Sequence, residues 1–179
     1  MQMNRTYRGV VCAVAVLVVV GCRHDAQATR QVDAMDKGVL VGLVSPEQIL
    51  DAAGWQAAMA EIAVAEEPAP VREKLIEVEL VVVLGTWCPD SVREVTRFWG
   101  WAGGLVHDEL RVSYIAVDRN KRAPELQSRG LTVQAVPTFV VYRDGREQGR
   151  VVERAVEGIG SDLLRLIDGQ ASGTISATR

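Results

Sequence analysis

Between residues 38 and 170, short apolar runs alternate with segments whose apolar residues recur every three or four positions. The apolar runs, which predict strands, occur at 39–44, 80–84, 112–117, 139–142 and 149–153. The amphipathic segments, which predict helices, start at Pro46 with an apolar stripe through Ile62 and continue at 90–98, 123–129 and 161–167. This order of elements predicts an α/β sandwich around one mixed sheet.

Local signals indicate where several of these elements begin or end. Ser45 and Gln48 have the spacing of a capping box, with a proline at the first helical position between them. Ser161 is the predicted cap of the last helix. Asp144-Gly145 lies between two β-prone runs and predicts a hairpin. Glycines at positions 100, 103 and 104 predict the end of the helix at 90–98.

The first 21 residues have the pattern of an export signal. Arg5 and Arg8 precede an unbroken apolar run of eleven residues, Val10–Val20, which small Gly21 follows. A membrane-spanning helix needs about 20 apolar residues, so this run is too short for a permanent span. We therefore expect residues 1–21 to be a signal peptide and the folded domain to occupy residues 38–170.

The residues Val19-Val20-Gly21-Cys22 resemble a bacterial lipoprotein cleavage box. The resemblance implies cleavage before Cys22 and a diacylglycerol on its thiol, with ordinary cleavage and an uncleaved anchor as the alternatives. Arg23, rather than an aspartate, follows the cysteine, which mildly favours the outer membrane over the inner one. The protein is then exported, lipid-anchored in the cell envelope and periplasm-facing. Residues 22–37 form its flexible tether, and residues 171–179 are expected to be a disordered tail.

Composition narrows the class of function. Of the 179 residues, 48% are apolar, which excludes a disordered or collagen-like chain. The net charge is −3 and becomes −5 once residues 1–21, with their two arginines, are removed, so no nucleic-acid partner is expected. Three cysteines are too few for a disulfide scaffold. With Cys12 in the signal and Cys22 lipidated, Cys88 is the one thiol left in the domain.

Cys88 follows the predicted buried strand 80–84 and precedes the predicted helix that starts at Asp90. A cysteine in this position lies among unpaired backbone amides and at the positive end of a helix dipole, both of which stabilise an anion. The thiolate is the reactive form of cysteine. Position alone therefore makes Cys88 a candidate nucleophile.

Two separated motifs resemble the thioredoxin family. The first, residues 86–91, reads Thr-Trp-Cys-Pro-Asp-Ser, and the second, residues 136–145, reads Val-Pro-Thr-Phe-Val-Val-Tyr-Arg-Asp-Gly. A family subgroup with a Trp-Cys-x-Asp-Ser motif and a Val-Asp-Arg strand end, here residues 117–119, is the most similar. The resemblance covers about residues 38–169. It implies a thioredoxin fold, in which a central mixed β-sheet is flanked by helices on both faces.

The resemblance also implies a set of site residues. Pro137 would form a cis peptide with Val136 and lie against the sulfur of Cys88. The implied catalytic group is Cys88, Ser91 and Pro137, and the supporting residues are Trp87, Pro89, Asp90 and Val136.

The sequence departs from thioredoxin at the residues that resolve the mixed disulfide and assist proton transfer. The second cysteine of a dithiol thioredoxin is replaced by Ser91, whose hydroxyl cannot form a disulfide, so internal resolution of a mixed disulfide is closed. A comparison without gaps places Val82 and Tyr114 where thioredoxin has a buried aspartate and a lysine. The charge of Asp90 disfavours a nearby thiolate, whereas a hydrogen bond from Ser91 to that thiolate would favour it.

Other constellations are weak. His24 lies in the tether and His107 in a predicted loop, so neither suggests a Cys–His pair, and no metal cluster or phosphate loop is visible. We expect no metal and no cofactor. The basic run 118–122 is interpreted as a solvated loop rather than a polyanion site. Trp99 and Trp101 are interpreted as partly buried beside the sheet rather than as an exposed binding patch.

These observations favour a membrane-tethered protein that uses one cysteine for thiol–disulfide exchange, through a mixed disulfide or isomerase-like chemistry. Its partners would be protein thiols or disulfides of the envelope and a small-molecule thiol. The alternative is a catalytically inactive binding module, with Trp87, Pro137 and the loop after Val117 as its surface. A third hypothesis is peroxide sensing through a sulfenic acid on Cys88.

Overall fold

One mixed β-sheet runs through the protein, whose computed structural model describes residues 38–62, 74–103 and 110–177. Its strands along the chain are β1 (Gly42–Val44), β2 (Val78–Leu84), β3 (Leu110–Ala116), β4 (Thr138–Arg143), β5 (Arg146–Val152) and β6 (Gly173–Ile175). Their order across the sheet is β1-β3-β2-β4-β5-β6. The pairs β2–β3 and β5–β6 are parallel, and the other pairs are antiparallel.

Five helices accompany the sheet within the described residues. They are α1 (Pro46–Leu50), α2 (Trp55–Ala60), α3 (Pro89–Ala102), α4 (Pro124–Ser128) and α5 (Ile159–Ile167). The described residues all belong to one compact unit. In this part of the chain, no helix has both the length and the apolarity that crossing a membrane requires. The prediction of an α/β thioredoxin fold is confirmed.

The central strand β2 is buried on both of its faces. Leu80, Val82 and Leu84 belong to one apolar cluster, which also contains side chains of α2, α3 and α5. Val81 and Val83 belong to a second cluster, which contains Cys88 and a leucine of α4. This alternation explains why the strand reads as an unbroken apolar run rather than as an alternating one. It also confirms that helices cover both faces of the sheet.

The first predicted helix is in fact two short helices. The capping box is confirmed, because the Ser45 hydroxyl accepts the amide of Gln48 at 3.3 Å and the Gln48 side chain accepts the amide of Ser45 at 2.9 Å. The prediction of one continuous helix is wrong because Gly54 has φ +85°, in the left-handed region, which ends the helical path before α2. Trp55 is fully buried, as its place on the apolar stripe predicts.

The N-terminal part of the predicted first strand does not pair with the sheet. The amide of Leu40 donates to the Thr86 side chain at 3.2 Å. Gly42 has φ +103°, outside the region of regular strands. The strand therefore starts at Gly42 and not at Val39, and residues 38–41 form an arm beside the loop that carries Cys88.

Helix α3 continues through Gly100, where the sequence predicted its end. Trp101 packs so closely on Gly160 of α5 that a β-carbon at position 160 would overlap the indole ring. Phe98 is fully buried, with its ring 5.6 Å from that of Phe139. A glycine inside a helix costs only about 1 kcal/mol, which this tertiary packing outweighs. Trp99 and Trp101 are partly buried, as predicted.

Of two further predictions from local signals, one is wrong and one is confirmed. Helix α5 starts at Ile159, and its buried Asp162 carboxylate accepts the amides of Val156 at 2.6 Å and Glu157 at 3.3 Å, so Ser161 is not the cap. The hairpin is confirmed, with positive φ at both residues of Asp144-Gly145.

The expectation of a disordered tail from residue 171 is wrong over β6. Residues 173–175 pair in parallel with residues 149–151, which extends the sheet by one strand. The composition of this segment is polar and concealed the strand, because its pairing depends on a distant partner. Gly149 makes the approach possible, since a β-carbon there would lie 2.6 Å from the Gly173 carbonyl oxygen and from Leu166.

We expect Gly149→Val to displace β6 and to lower the free energy of unfolding by about 1–3 kcal/mol through overpacking. Hydrogen exchange of the amides of residues 173–175 measures the displacement, and chemical denaturation measures the stability. The matched control is Gln148→Val on the same strand, which should keep the protection of β6. Unchanged protection in Gly149→Val would contradict the role given to this glycine.

Candidate functional site

Cys88 lies at the junction between the central strand and helix α3. The strand β2 ends at Leu84, and Cys88 is the N-cap residue of α3, with extended backbone angles of φ −97° and ψ 119°. Its amide donates to the Gly85 carbonyl at 2.9 Å, and its carbonyl accepts the Val92 amide at 3.0 Å. Pro89 occupies the first helical position, where its missing N–H removes no helical hydrogen bond. The chain thus places the sulfur at the amide end of a fourteen-residue helix.

Thr86 fixes the loop in front of Cys88 from two sides. The Thr86 hydroxyl donates to the Gly38 carbonyl at 3.3 Å and accepts the Leu40 amide at 3.2 Å. The Thr86 carbonyl accepts the indole N–H of Trp55 at 3.0 Å. These bonds join the loop both to the N-terminal arm and to α2.

Trp87 connects the same loop to the end of β3. Its indole N–H donates to the Val117 carbonyl at 3.1 Å. The ring covers Gly85 so closely that a β-carbon at position 85 would lie 2.7 Å from it. The guanidinium carbon of Arg119 lies 5.4 Å from the ring centroid, at the distance of a cation–π contact. The basic run 118–122 is solvated as predicted at Arg119 and Arg122, but Arg119 also covers this tryptophan.

The loop before β4 contacts Cys88 within the second apolar cluster, which contains both Cys88 and Val136. The peptide Val136–Pro137 is cis, as the resemblance implies. The Cys88 thiol donates to the Val136 carbonyl at 3.4 Å, across 48 residues of sequence. Cys88 is 8% exposed, and both Val136 and Pro137 are buried. The structure therefore brings together the two motifs that the sequence contains separately.

Asp90 is held by two arginines. Arg93 lies 2.6 Å and Arg154 lies 3.4 Å from the same carboxylate oxygen, Oδ1. Burial raises the pKa of Asp90, but the hydrogen bonds and charges of Arg93 and Arg154 outweigh it and hold the pKa below its usual value. The negative charge expected beside Cys88 is therefore largely compensated by positive charge.

Ser91 binds the backbone of the loop that precedes Cys88. Its hydroxyl is fully buried and accepts the Gly85 amide at 3.2 Å. The Gly85 amide, in the turn before the helix, lies within reach of this residue of the first helical turn. Ser91 thus supports the loop, and the thiol finds its partner in the Val136 carbonyl.

The two positions that hold proton-transfer groups in thioredoxin are neighbours here too. Val82 and Tyr114 are register partners in the parallel pair β2–β3. The Tyr114 hydroxyl accepts the indole N–H of Trp99 at 2.8 Å. Burial raises the pKa of Tyr114 to about 12, so its hydroxyl stays protonated at neutral pH. Neither side chain supplies the carboxylate or the amine that assists thioredoxin.

Several predicted features lie outside the described residues. These are the signal peptide, Cys22 with its tether, His24 and His107. Within the described residues, no group of three histidine, cysteine, aspartate or glutamate side chains is arranged to hold a metal ion.

The sequence patterns did not predict the contacts that Arg154, Thr86 and Arg119 make in the site. Arg154 reaches Asp90 across 64 positions, and no local pattern indicates such a pair. Thr86 belongs to the motif, but its bonds to the N-terminal arm depend on the path of a glycine-containing segment. Arg119 lies in the basic run 118–122, directly after the predicted strand 112–117. That position, at the same end of the sheet as Trp87, could have indicated the contact between the two side chains.

The chain matches no protein-family model and no curated protein. Among solved structures, it is similar to a protein of unknown function from Pseudomonas aeruginosa, with 20% identity over 71% of this chain and 89% of that one and a TM-score of 0.44. An HIV epitope scaffold has 19% identity over 70% of this chain and 89% of its own, with a TM-score of 0.40. Trxlp from Edwardsiella tarda EIB202 has 26% identity over 55% of this chain and 94% of its own, with a TM-score of 0.36. The thioredoxin-like fold of this protein is defined by its own strand order and by its cis-proline loop.

The lowered pKa of Asp90 gives a pH dependence of stability. A carboxyl whose pKa is lower in the folded state stabilises the protein above its unfolded pKa, about 3.9, and this contribution is lost as the pH falls through the folded pKa. We expect Asp90→Asn to lower the free energy of unfolding by about 1 kcal/mol at pH 7. The difference from the unsubstituted protein should be smaller near pH 2.5 than at pH 7.

Urea denaturation at both pH values measures this difference. Arg154→Gln is the companion variant, because it removes one of the two positive charges and should show a smaller loss of the same sign. A difference between the proteins that is equally large at pH 7 and pH 2.5 would contradict the ion-pair explanation.

Proposed function

We propose that the protein is an exported, membrane-tethered thioredoxin-like protein that uses Cys88 for thiol–disulfide exchange. The observation that carries this proposal is the contact between the Cys88 thiol, at the N-terminus of α3, and the Val136 carbonyl before the cis proline. The N-terminal end of a helix is a place where negative charge is stabilised. This arrangement supports the proposal of thiol–disulfide exchange at Cys88.

The exchange has two balanced steps. The Cys88 thiolate attacks one sulfur of a substrate disulfide, so that a new S–S bond forms, the old one breaks and the second substrate sulfur leaves as a thiolate that takes up a proton. In the second step, a thiolate of the substrate or of an external small thiol attacks the mixed disulfide and releases Cys88. Because Ser91 occupies the resolving position, the attacking sulfur of the second step comes from another molecule, and Cys88 leaves as a thiolate.

A binding module is the second candidate, favoured by the low exposure of the thiol. Cys88 is 8% exposed, and its thiol proton is hydrogen-bonded to the Val136 carbonyl. This proton must be removed before the sulfur can attack a disulfide. In that case Trp87, Pro137 and the loop after Val117 would form a surface that recognises a partner without a covalent step.

A refolding assay separates the two candidates. We expect the full chain, in an uncharged detergent, to accelerate the reshuffling of a scrambled disulfide substrate by about tenfold or more, and acid quenching with alkylation to trap a mixed disulfide at Cys88. Cys88→Ser should abolish both results. The control variant is Arg146→Gln at the tip of the hairpin, which lies at the opposite end of the sheet because Arg143 pairs with Val78.

Two further results of the assay distinguish the exchange reaction from a binding module. Ser91→Cys supplies a thiol three positions after Cys88, and we expect it to convert the protein into a net reductant when an external reductant is present. The binding module would be favoured if the full chain neither accelerates the reaction nor forms a trapped adduct. The same conclusion requires that a binding partner is recovered equally well with Cys88→Ser.

The anchor is a separate part of the proposal, supported by the pattern of residues 1–22. Mass spectrometry of membrane-extracted protein should find an N-terminus at Cys22 with a mass increase equal to diacylglycerol and an additional acyl chain. Cys22→Ala should leave the protein with its signal uncleaved or release it into the periplasmic fraction. An unmodified Cys22 in the extracted protein would refute the lipid anchor and leave the chemistry of Cys88 untouched.

A further inference from the structure

We propose that Arg154 is a positioning residue for exchange at Cys88, which acts through the carboxylate of Asp90. The inference rests on the proposed function and adds a residue that adjusts the charge near its sulfur. Arg154 follows β5, and 64 positions of sequence separate it from Asp90. The folded arrangement alone brings the two side chains together, 3.4 Å apart.

The turn after β5 places Arg154 beside the site. Val152 ends β5 and pairs with Thr138, the residue after the cis proline. The next amide, that of Glu153, donates to the Pro137 carbonyl at 2.8 Å. The amide of Arg154 donates to the Val152 carbonyl at 2.7 Å. The chain therefore turns sharply against the cis-proline loop, and the Arg154 side chain starts from this turn.

Glu153 has a backbone conformation that its residue type disfavours. Its φ is +59°, in the left-handed region, where residues with a β-carbon are uncommon. Such conformations persist where the surrounding contacts hold them, and they cluster at functional sites. The contacts here are the Pro137 carbonyl on one side and the Ala177 amide, which donates to the Arg154 carbonyl at 3.0 Å, on the other. The course of the turn is thus held from both sides.

The two arginines that pair with Asp90 come from different parts of the chain. Asp90 lies in the first turn of α3, two positions after Cys88. Arg93 is three positions further along the same helix and lies 2.6 Å from Asp90, so this pair needs only an intact α3. Arg154 forms its pair only while its turn is seated against Pro137. The charge near Cys88 therefore depends on the contact between the turn and the cis-proline loop.

The charge of Asp90 bears on the chemistry of Cys88. A carboxylate near a thiol opposes the loss of the thiol proton, because the two negative charges repel each other. Each arginine that pairs with Asp90 offsets part of this repulsion. Removal of Arg154 would leave more net negative charge at the start of α3 and make the thiolate less stable. Since the side chain of Arg154 is 46% exposed, solvent screens the effect, and we expect changes of severalfold rather than of orders of magnitude.

Other titratable groups around Cys88 form a constant background to this effect. Tyr142 belongs to the same apolar cluster, and burial raises its pKa, so it is neutral at pH 7. The loop at 131–137 and the arm at 38–41 contain no charged residue. The other charged side chains on the elements around Cys88 include Arg93 and Glu94 on α3, Asp118 and Arg119 after β3, Glu125 on α4, and Glu153.

Alkylation of Cys88 in the full chain, followed by mass spectrometry of its peptide, tests the charge near the sulfur. The reagents are neutral iodoacetamide and negatively charged iodoacetate. We expect Arg154→Gln to raise the midpoint of the pH profile and, below this midpoint, to slow iodoacetamide by about threefold and iodoacetate by about twofold more. Arg154→Lys keeps the charge and should restore both rates. Asp90→Asn should change the midpoint in the opposite direction.

Arg146→Gln is the matched control, because it removes the same charge at the far end of β5 and should leave both rates unchanged. An equal loss with the two reagents and an unchanged pH profile would overturn the role of Arg154, as would equal losses in Arg154→Gln and Arg154→Lys. If Arg154→Gln does not fold, an unchanged midpoint in Asp90→Asn would overturn it. The expected alkylation pattern without any reshuffling of a disulfide substrate would retain this role and refute the proposed exchange instead.

Discussion

The site depends on the burial of β2 on both faces of the sheet. Each of its last five residues is fully or almost fully buried, and successive side chains enter opposite apolar clusters. A one-residue slip would exchange the two sets of side chains and move the end of the strand, so the register is strongly fixed. The position of Cys88 follows from it, because the short turn from Gly85 to Trp87 leaves little freedom between the strand and α3. The apolar core thereby determines where the Cys88 sulfur lies.

Polar groups around Cys88 determine the hydrogen bonds and charges near its sulfur. Thr86 and Trp87 join the loop to the N-terminal arm and to the end of β3, while Val136 supplies the hydrogen-bond acceptor of the thiol. Asp90 adds a negative charge that Arg93 and Arg154 compensate. The proton-transfer positions are filled by the apolar Val82 and by Tyr114, whose hydroxyl is engaged with Trp99. The loop is therefore held by several hydrogen bonds, whereas the carboxylate and the amine that assist proton transfer in thioredoxin are replaced.

Local patterns predicted most of the fold, and the errors have a common cause. The strand 80–84, the capping box at Ser45 and the Asp144-Gly145 turn depend on neighbouring residues, so the sequence contains the information. The break at Gly54, the continuation of α3 beyond Gly100 and the strand at 173–175 depend on distant packing, which no local window contains. The same division applies to the site. The motif indicated Cys88 and Pro137, but Arg154 and the partner of Ser91 required the three-dimensional arrangement.

The bond between Ser91 and Gly85 has a consequence for how long an adduct would last. A dithiol protein releases its substrate on its own, at a rate set by its second sulfur. Here the corresponding side chain is a hydroxyl committed to the backbone of the loop. On the proposed chemistry, the lifetime of the covalent complex would be set by the concentration of free thiols outside the protein. The fraction of molecules occupied at any moment would then report the thiol supply of the compartment, and a shortage of thiols would turn a catalyst into a covalent trap.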